Sequence, residues 1–251
     1  NEPSNGSFFW FLHSYAIHSP YIQPPSFLNT FAGKDYNGRL PDTYQAIFET
    51  ELEKIKRLMD ENSTALKDKL AIDNTSFSRL ESIVESRNAS ALTEYRLAIG
   101  RPIFERAIGY PGITYYDAIR NNITDNDIAQ LNDRYDAGIY YMDFQLGLFF
   151  DELKKAGLWD KTVIVITSDH GEELYEHKGF DHTNFYDHTI RVPLIIHVPG
   201  MEGRKDIYEL TQSIDIMPTI LGVLGIDTPQ SAQGKNMIAV LEGNEEPNEY
   251  V

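Results

Sequence analysis

The chain carries short, unbroken apolar runs that end in polar, chemistry-bearing residues. Val163-Ile-Val-Ile166 is one such run, and it leads into Ser168-Asp169-His170-Gly171. Consecutive β-branched residues of this length predict a strand buried on both faces, the pattern of a parallel sheet covered by helices. Phe8-Phe-Trp-Phe-Leu12 repeats the pattern and ends at His13. It is followed by Pro24-Pro25, whose fixed φ and missing donors predict an irregular loop. Ile190-Arg-Val-Pro-Leu-Ile-Ile-His-Val198 predicts another strand, and Pro193 places its start at an edge or a bulge.

Elsewhere the apolar positions recur at helical spacing. Between Asp125 and Gly157, the residues Ile128, Leu131, Tyr135, Ile139, Met142, Leu146, Phe149 and Leu153 form one stripe and predict a single long helix. Thr124 or Asp125 can cap its start, and Gly157 stands where a terminating glycine belongs. Around residues 42–99 the stripe is broken: Ile47, Leu52, Ile55 and Met59, then Leu66, Leu70, Phe77, Leu80 and Val84. That predicts two or three amphipathic helices covering a sheet face or roofing a site. Ser213 to Leu224 predicts a short buried helix with Asp215 as N-cap, Pro218 in the first turn and Gly225 as its stop. Buried strands alternating with amphipathic helices give an α/β class, a three-layer α/β/α sandwich with a mainly parallel central sheet.

Composition narrows the function. The chain has 251 residues, 41% of them hydrophobic, which suits one large domain or part of a somewhat larger one. Its formal charge of −16 argues against a nucleic-acid partner, because binding phosphate needs a basic surface. No run of roughly 20 apolar residues is present, so no membrane span is expected. The start, Asn1-Glu-Pro-Ser-Asn-Gly-Ser7, has neither a basic region nor an apolar core, so it does not read as a signal peptide. It also lacks an initiator Met, so upstream sequence is expected to be missing. There are no cysteines, hence no disulfides or thiolate ligands. Asn-x-Ser/Thr sequons at Asn5, Asn62, Asn74, Asn88 and Asn122 lean towards an extracytoplasmic setting.

The candidate chemistry sits at the polar ends of the apolar runs. Asp169 and His170 place a carboxylate and an imidazole together at a strand's carboxyl end, where open α/β sheets bind ligands. They make half of a metal site. His13 and His18 follow the first apolar run in the same manner. The acid- and histidine-rich stretch from Glu172 to His188, with His177, His182 and His188, reads as a long active-site loop. Asp143 lies off the long helix's stripe and reads as a surface or capping partner, not a catalytic residue.

Taken in order, these pieces resemble a known family. Phe-Leu-His13, His18-Ser-Pro-Tyr21, Arg134-Tyr-Asp-Ala-Gly-Ile139 and Thr167-Ser-Asp-His-Gly-Glu172 are similar to the sulfatase branch of the alkaline phosphatase superfamily. So are Arg191-Val-Pro-Leu-Ile-Ile196, Pro199-Gly200 and Ile214-Asp-Ile-Met-Pro-Thr-Ile-Leu-Gly-Val-Leu-Gly-Ile226. The likeness spans residues 1–251 apart from a helical insert at about 40–124. It implies an alkaline-phosphatase-like fold and hydrolysis of a small-molecule or carbohydrate sulfate ester at one divalent cation. Calcium is expected first, with Mn, Mg or Zn as alternatives. Asp169 and His170 would be metal ligands. His18 and His182 would contact the ester, donating protons or stabilising charge on its oxygens. His177 and His13 are secondary candidates. Two-metal relatives place a carboxylate four residues before the loop histidine, and Ser14 occupies that position here, so the one-metal class is implied.

The departures from the pattern are as informative. The family's first metal-binding Asp pair is missing, and so is its Cys/Ser-x-Pro-x-Arg nucleophile run. A formylglycine, if the parent has one, would lie upstream. The chain is therefore expected to be a piece of the catalytic domain, truncated at both ends and not competent for turnover alone. Two further readings stay open: a phospho- or phosphonate-ester hydrolase or phosphoglycerol transferase on the same fold, and a non-catalytic remnant.

Overall fold

A computed structural model describes residues 6–31, 36–41, 43–109, 116, 119 and 122–249. They divide into two compact units, Asn1–Leu146 with Glu172–Thr183, and Gly147–Gly171 with Asn184–Val251. No helix among the described residues is long and apolar enough to cross a membrane.

Much of the first unit is helical. Helix α1 (Pro25–Phe31) starts on Pro25 instead of continuing the expected loop, since proline's fixed φ and missing N–H suit the first helical position. Helices α2 (Tyr44–Leu70), α3 (Asn74–Ser86) and α4 (Ala89–Ile99) occupy the stretch where two or three were expected, and α5 (Arg101–Ile108) follows. Short polar side chains set the breaks. Thr43, Asp73 and Asn88 accept hydrogen bonds from the backbone N–H three residues on, at 3.1, 2.7 and 3.0 Å. Asn62 does the same inside α2, accepting from Ala65 at 2.9 Å, where its own extended backbone kinks the helix. These helices close on one another. Leu52, Ile55, Leu66, Leu70, Phe77, Leu80, Leu92, Tyr95 and Phe104 form one core, and the buried Glu51 pairs with Arg96, which also lies over the Phe104 ring at 5.0 Å.

Another core of this unit joins Tyr21, Leu40, Ile47, Tyr116, Ile119, Leu131, Leu174 and Phe180. It is built against the N-terminal part of α6 (Asp125–Lys155). Thr124 and Asp127 cap α6 reciprocally: the Thr124 hydroxyl accepts from the Asp127 N–H at 3.2 Å, and the Asp127 carboxylate accepts from the Thr124 N–H at 2.9 Å. At the other end Gly157 takes φ 66°, and the N–H of Leu158 reaches back to the Leu153 carbonyl at 2.9 Å. The apolar stripe is only partly the buried one. Ile139 is exposed, whereas Gln130, Arg134 and Ala137 are buried. Arg134 is accepted inside because its guanidinium donates to the Pro41 carbonyl and lies over the Tyr36 ring at 5.8 Å.

The strands depart most from expectation. Strand β1 (Ile164–Thr167) pairs antiparallel with β4 (Leu194–His197), with Ile164 opposite His197 and Thr167 opposite Leu194. Strand β2 (Glu173–Leu174) pairs antiparallel with β3 (Phe180–Asp181). Among the described residues these two-stranded ladders stand where a mainly parallel three-layer sheet was expected. Parallel neighbours need a long crossover, usually a full helix. The sequence between β1 and β4 supplies only the β2–β3 hairpin and the four-residue helix α7 (Asp187–Ile190), so the chain returns antiparallel. Apolar β1 is half-buried, and Ile195 opposite it is exposed. Phe8 to Leu12 forms no strand and is exposed, Phe11 by 80%. No described strand of its unit takes up its backbone hydrogen bonds, and an apolar run cannot make a strand without a partner.

The second unit is tied by Asp215, which is the N-cap residue of α8 (Ile216–Val223) as expected, although its side chain makes no capping hydrogen bond to that helix. It sits at the third position of a 3-10 turn, Ser213–Asp215, in a reciprocal capping box with Gln212. Its carboxylate accepts from the N–H groups of Gln212 (2.7 Å) and Lys235 (2.8 Å) and from the Asn248 side chain (2.9 Å). The proline at 218 and the left-handed Gly225 bound α8 as anticipated. Helix α9 (Met237–Leu241) packs on it, with the Met237 N–H donating to the buried Thr219 hydroxyl at 2.9 Å.

Candidate active site

In the first unit the β2–β3 hairpin is the device that gathers functional side chains. Glu173 opens it and its carboxylate accepts from the N–H groups of His177 (2.9 Å) and Gly179 (3.0 Å), closing the loop on a buried acid. A Cβ on Gly179 would collide with that carboxylate. Leu174 and Phe180 plug the hairpin into the core, and Phe180 stacks on Tyr116 with ring centroids 4.7 Å apart. The register pairs Glu173 with Asp181. Glu172, just before β2, and His182, just after β3, are therefore neighbours at the hairpin's open end.

His18 reaches the same place from the N-terminal segment. Gln23 donates to the Ala16 carbonyl at 2.6 Å and folds this segment onto α6, where Gly138 leaves room for the Gln23 amide. The His18 ring meets the His182 ring edge-on, centroids 5.7 Å apart. His18 Nδ1 lies 2.7 Å from the Ser19 carbonyl oxygen. A carbonyl only accepts, so Nδ1 carries the proton and Nε2 is the ring's basic atom.

Two carboxylates face this pair of imidazoles. Asp181 Oδ1 is 2.5 Å from His182 Nδ1, and Glu172 Oε1 is 3.7 Å from the same nitrogen. Asp181 itself adopts φ 74°, a left-handed backbone that Asp tolerates better than most residues. Glu172 is buried beside Tyr21, whose hydroxyl lies 2.7 Å from that of Tyr116. Burial, the neighbouring Tyr116 and the charge and hydrogen bond of Glu172 push the Tyr21 hydroxyl well above its ordinary pKa. Burial and then the charge of Glu172 also raise Tyr135. The phenols thus stay neutral and the carboxylate stays the acceptor. Glu172, Asp181 and His182 bring potential metal donors within 4.8 Å of one another. The Asp181 carboxylate makes its hydrogen bond to the His182 backbone N–H instead, at 3.1 Å.

The second unit holds Asp169 and His170. His170 Nδ1 lies 2.7 Å from the Gly171 carbonyl oxygen, which again fixes the proton on Nδ1 and leaves Nε2 as the basic atom. Nε2 is 3.8 Å from Asp169 Oδ1. Two donors each about 2.1–2.4 Å from one ion lie at such a separation, so the pair fits a shared divalent cation. The Ser168 hydroxyl donates to the His170 carbonyl at 3.0 Å. Gly171 donates its N–H to the Thr189 carbonyl at 2.7 Å, and a Cβ there would run into the His188 carbonyl oxygen. The glycine is required by that close approach.

The structure thus brings His18 and His182 together, and Asp169 and His170 together within their own unit. His177 is exposed in the hairpin loop, and His13 is exposed with its ring tilted against Tyr15, centroids 4.7 Å apart. Asp143 is exposed, as expected. Sequence reasoning missed Glu172, Asp181 and Tyr21 as functional neighbours. A signal was present: Asp-His recurs as Asp169-His170, Asp181-His182 and Asp187-His188.

The chain is 32% identical over 130 residues to arylsulfatase K of Bos taurus, covering 50% of this chain and 24% of that protein. It is 35% identical over 121 residues to the multifunctional alkaline phosphatase superfamily protein PehA of Trinickia caryophylli, covering 47% and 24%. It is 37% identical over 105 residues to lipoteichoic acid synthase 2 of Bacillus subtilis, covering 38% and 16%. The matched stretch therefore spans about a quarter or less of each relative's length. The sulfatase family model matches residues 1–226, and the chain belongs to the sulfatase family.

Proposed function

We propose that this chain supplies part of the active centre of a sulfuric ester hydrolase that uses one divalent cation. The observation that carries the reading is the His18–His182 pair, ring to ring at 5.7 Å, with Asp181 on His182 Nδ1. Imidazoles held this way can donate protons to a sulfate ester's oxygens or stabilise charge on them. Asp169 and His170 would hold the cation. When bound it supplies Lewis-acid polarisation of the ester oxygens. Because one donor is an imidazole, Mn²⁺ suits the pair better than Ca²⁺, which prefers an all-oxygen shell. His18 would present Nε2 to the ester, its Nδ1 proton being committed to Ser19. His177 would act, if at all, from the rim of the loop. The attacking oxygen is not assigned to any residue here, because the sequence has no Cys/Ser-x-Pro-x-Arg run. On this reading the chain alone does not turn over, and its substrates are small-molecule or carbohydrate esters.

A phosphate or phosphonate ester is the second reading. The Asp169-His170 pair favours it, since by resemblance Asp-Asn is the commoner pair in animal sulfatases, and so does the similarity to a lipoteichoic acid synthase. The test is a comparison of 4-nitrophenyl sulfate, 4-nitrophenyl phosphate and 4-nitrophenyl phenylphosphonate with the Mn²⁺-loaded full-length protein. Preference for the sulfate, lost in His182→Gln, is expected. Preference for either phosphorus ester selects the second reading, and turnover of none of them counts for a non-catalytic remnant.

A further inference from the structure

We propose that Glu172, Asp181 and His182 form a cation site within the first unit, one that takes Zn²⁺ or a similar transition ion and staples the open end of the β2–β3 hairpin. It is additional to the cation that Asp169 and His170 would hold. It needs no ester, so it stands or falls apart from the functional reading above. One donor atom from each of the three residues lies within 4.8 Å of the other two. His182 Nδ1 is 2.5 Å from Asp181 Oδ1 and 3.7 Å from Glu172 Oε1. Neither approach is a hydrogen bond: the longer one is out of range, and the Asp181 carboxylate bonds to the His182 backbone N–H at 3.1 Å. Donors about 2.1 Å from one tetrahedral ion stand roughly 3.4 Å apart. Glu172 is close to that separation already, and Asp181 reaches it by drawing back about 1 Å.

Acids alone usually form a solvated face. These two are largely buried, with 5% of the Glu172 side chain and 17% of the Asp181 side chain exposed, and an imidazole nitrogen shares their space. Glu172 takes a hydrogen bond from the Tyr21 hydroxyl, and Tyr21 is itself buried and held by Tyr116 at 2.7 Å. Outer hydrogen bonds of this kind orient metal-binding carboxylates. Two carboxylates and one imidazole are a donor set that zinc accepts with water as a fourth ligand. The nitrogen selects against Ca²⁺ and Mg²⁺, and the usual order of affinities puts Zn²⁺ above Mn²⁺. The place in the fold gives the ion a purpose. Strands β2 and β3 hold two residues each, and a hairpin that short is marginal. Its loop end is closed by Glu173, which accepts from His177 and Gly179. Glu172 precedes β2 and His182 follows β3, so an ion shared by them ties the other end.

The test uses the full-length protein carrying Asp169→Asn, which disables the Asp169–His170 pair, with Co²⁺ as the visible probe for Zn²⁺. Co²⁺ should give a visible d–d absorption that Zn²⁺ displaces. Adding His182→Gln should abolish that signal, and adding Glu172→Gln or Asp181→Asn should weaken Co²⁺ at least about 10-fold. Amide hydrogen exchange supplies the local readout. Zn²⁺ should slow it across residues 173–181 of the D169N protein and leave it unchanged once His182→Gln is added. Where H182Q does not fold, judged by circular dichroism, E172Q takes its place, since Gln keeps the side chain's shape and an acceptor for Tyr21. A Co²⁺ spectrum indifferent to residues 172, 181 and 182, or hairpin amides indifferent to Zn²⁺, overturns the proposal. Absence of turnover bears on the functional reading alone, because both readouts are taken without substrate.

Discussion

The hydroxyl oxygens of Tyr21 and Tyr116 lie 2.7 Å apart with both side chains fully buried. Tyr21 belongs to a set of phenols that the first unit holds neutral. Burial raises Tyr36 to about 12, helped by its hydrogen bond to Asp127, and burial raises Tyr95 to about 12. An acid whose folded pKa lies above its unfolded value of about 10 favours the folded state below that value. The advantage disappears as pH climbs through the folded values. Cooperative loss of near-UV circular dichroism is therefore expected between about pH 10 and pH 12, with Tyr95→Phe moving the transition to higher pH. Phenolate absorbance rising fully near pH 10 in the folded protein would contradict it. At neutral pH, Tyr21→Phe should cost roughly 1–3 kcal/mol in urea unfolding, since it removes a buried hydroxyl that Tyr116 and Glu172 both engage.

Gly171 has no room for a side chain, because a Cβ would meet the His188 carbonyl oxygen while the Gly171 N–H is held by the Thr189 carbonyl. Gly171→Ala should destabilise the second unit by about 1–3 kcal/mol and displace the carbonyl that fixes the His170 tautomer. Thermal unfolding reports the first effect, and the ¹⁵N shifts of the His170 ring report the second. An alanine variant with wild-type stability and an unchanged tautomer would show that the loop yields freely.

Asp215 is fully buried and receives two backbone N–H groups and the Asn248 amide. Asp215→Ala strands those donors, and hydrogen bonds to a buried charge are worth about 1.5–3 kcal/mol each. A loss of at least about 3 kcal/mol is expected in denaturant unfolding. Asn248→Ala, which removes one donor near the surface, should lose less than half of that. Similar costs for the two would show that the carboxylate is not the centre of the tie.

How much of this was readable from the residues depended on whether the signal was local. The long helix was legible because its caps, Thr124 and Gly157, and its spacing are properties of adjacent turns. The Asp169–His170 pair was legible for the same reason. The pairing of Val163–Ile166 was not, because an apolar run states burial and says nothing of strand direction, which the connection decides. Phe8–Leu12 shows the same limit: apolar side chains cannot make a strand where no edge accepts the backbone. Asp215 was legible as the residue at the start of α8, but not the bonds its side chain makes, which depend on Gln212 and Lys235. The Glu172–Asp181–His182 grouping depends on hairpin register, which no single residue announces.

The separation of 3.8 Å between Asp169 Oδ1 and His170 Nε2 gives a prediction for metal choice. With Nδ1 on the Gly171 carbonyl, Nε2 is the basic atom of the ring and the one that faces Asp169. Nitrogen donors rank Mn²⁺ above Ca²⁺, whereas carboxylates serve both. Calorimetric titration of the full-length protein should find Mn²⁺ bound more tightly than Ca²⁺. Asp169→Asn, which removes charge from either complex, should weaken both ions by about 100-fold. His170→Gln trades nitrogen for a carbonyl oxygen that a hard ion accepts, so it should weaken Mn²⁺ far more than Ca²⁺ and narrow the preference. If His170→Gln weakened both ions equally, or if Ca²⁺ bound more tightly from the start, the imidazole would not be a ligand. Its Nδ1 bond to Gly171 would then serve only to shape the loop.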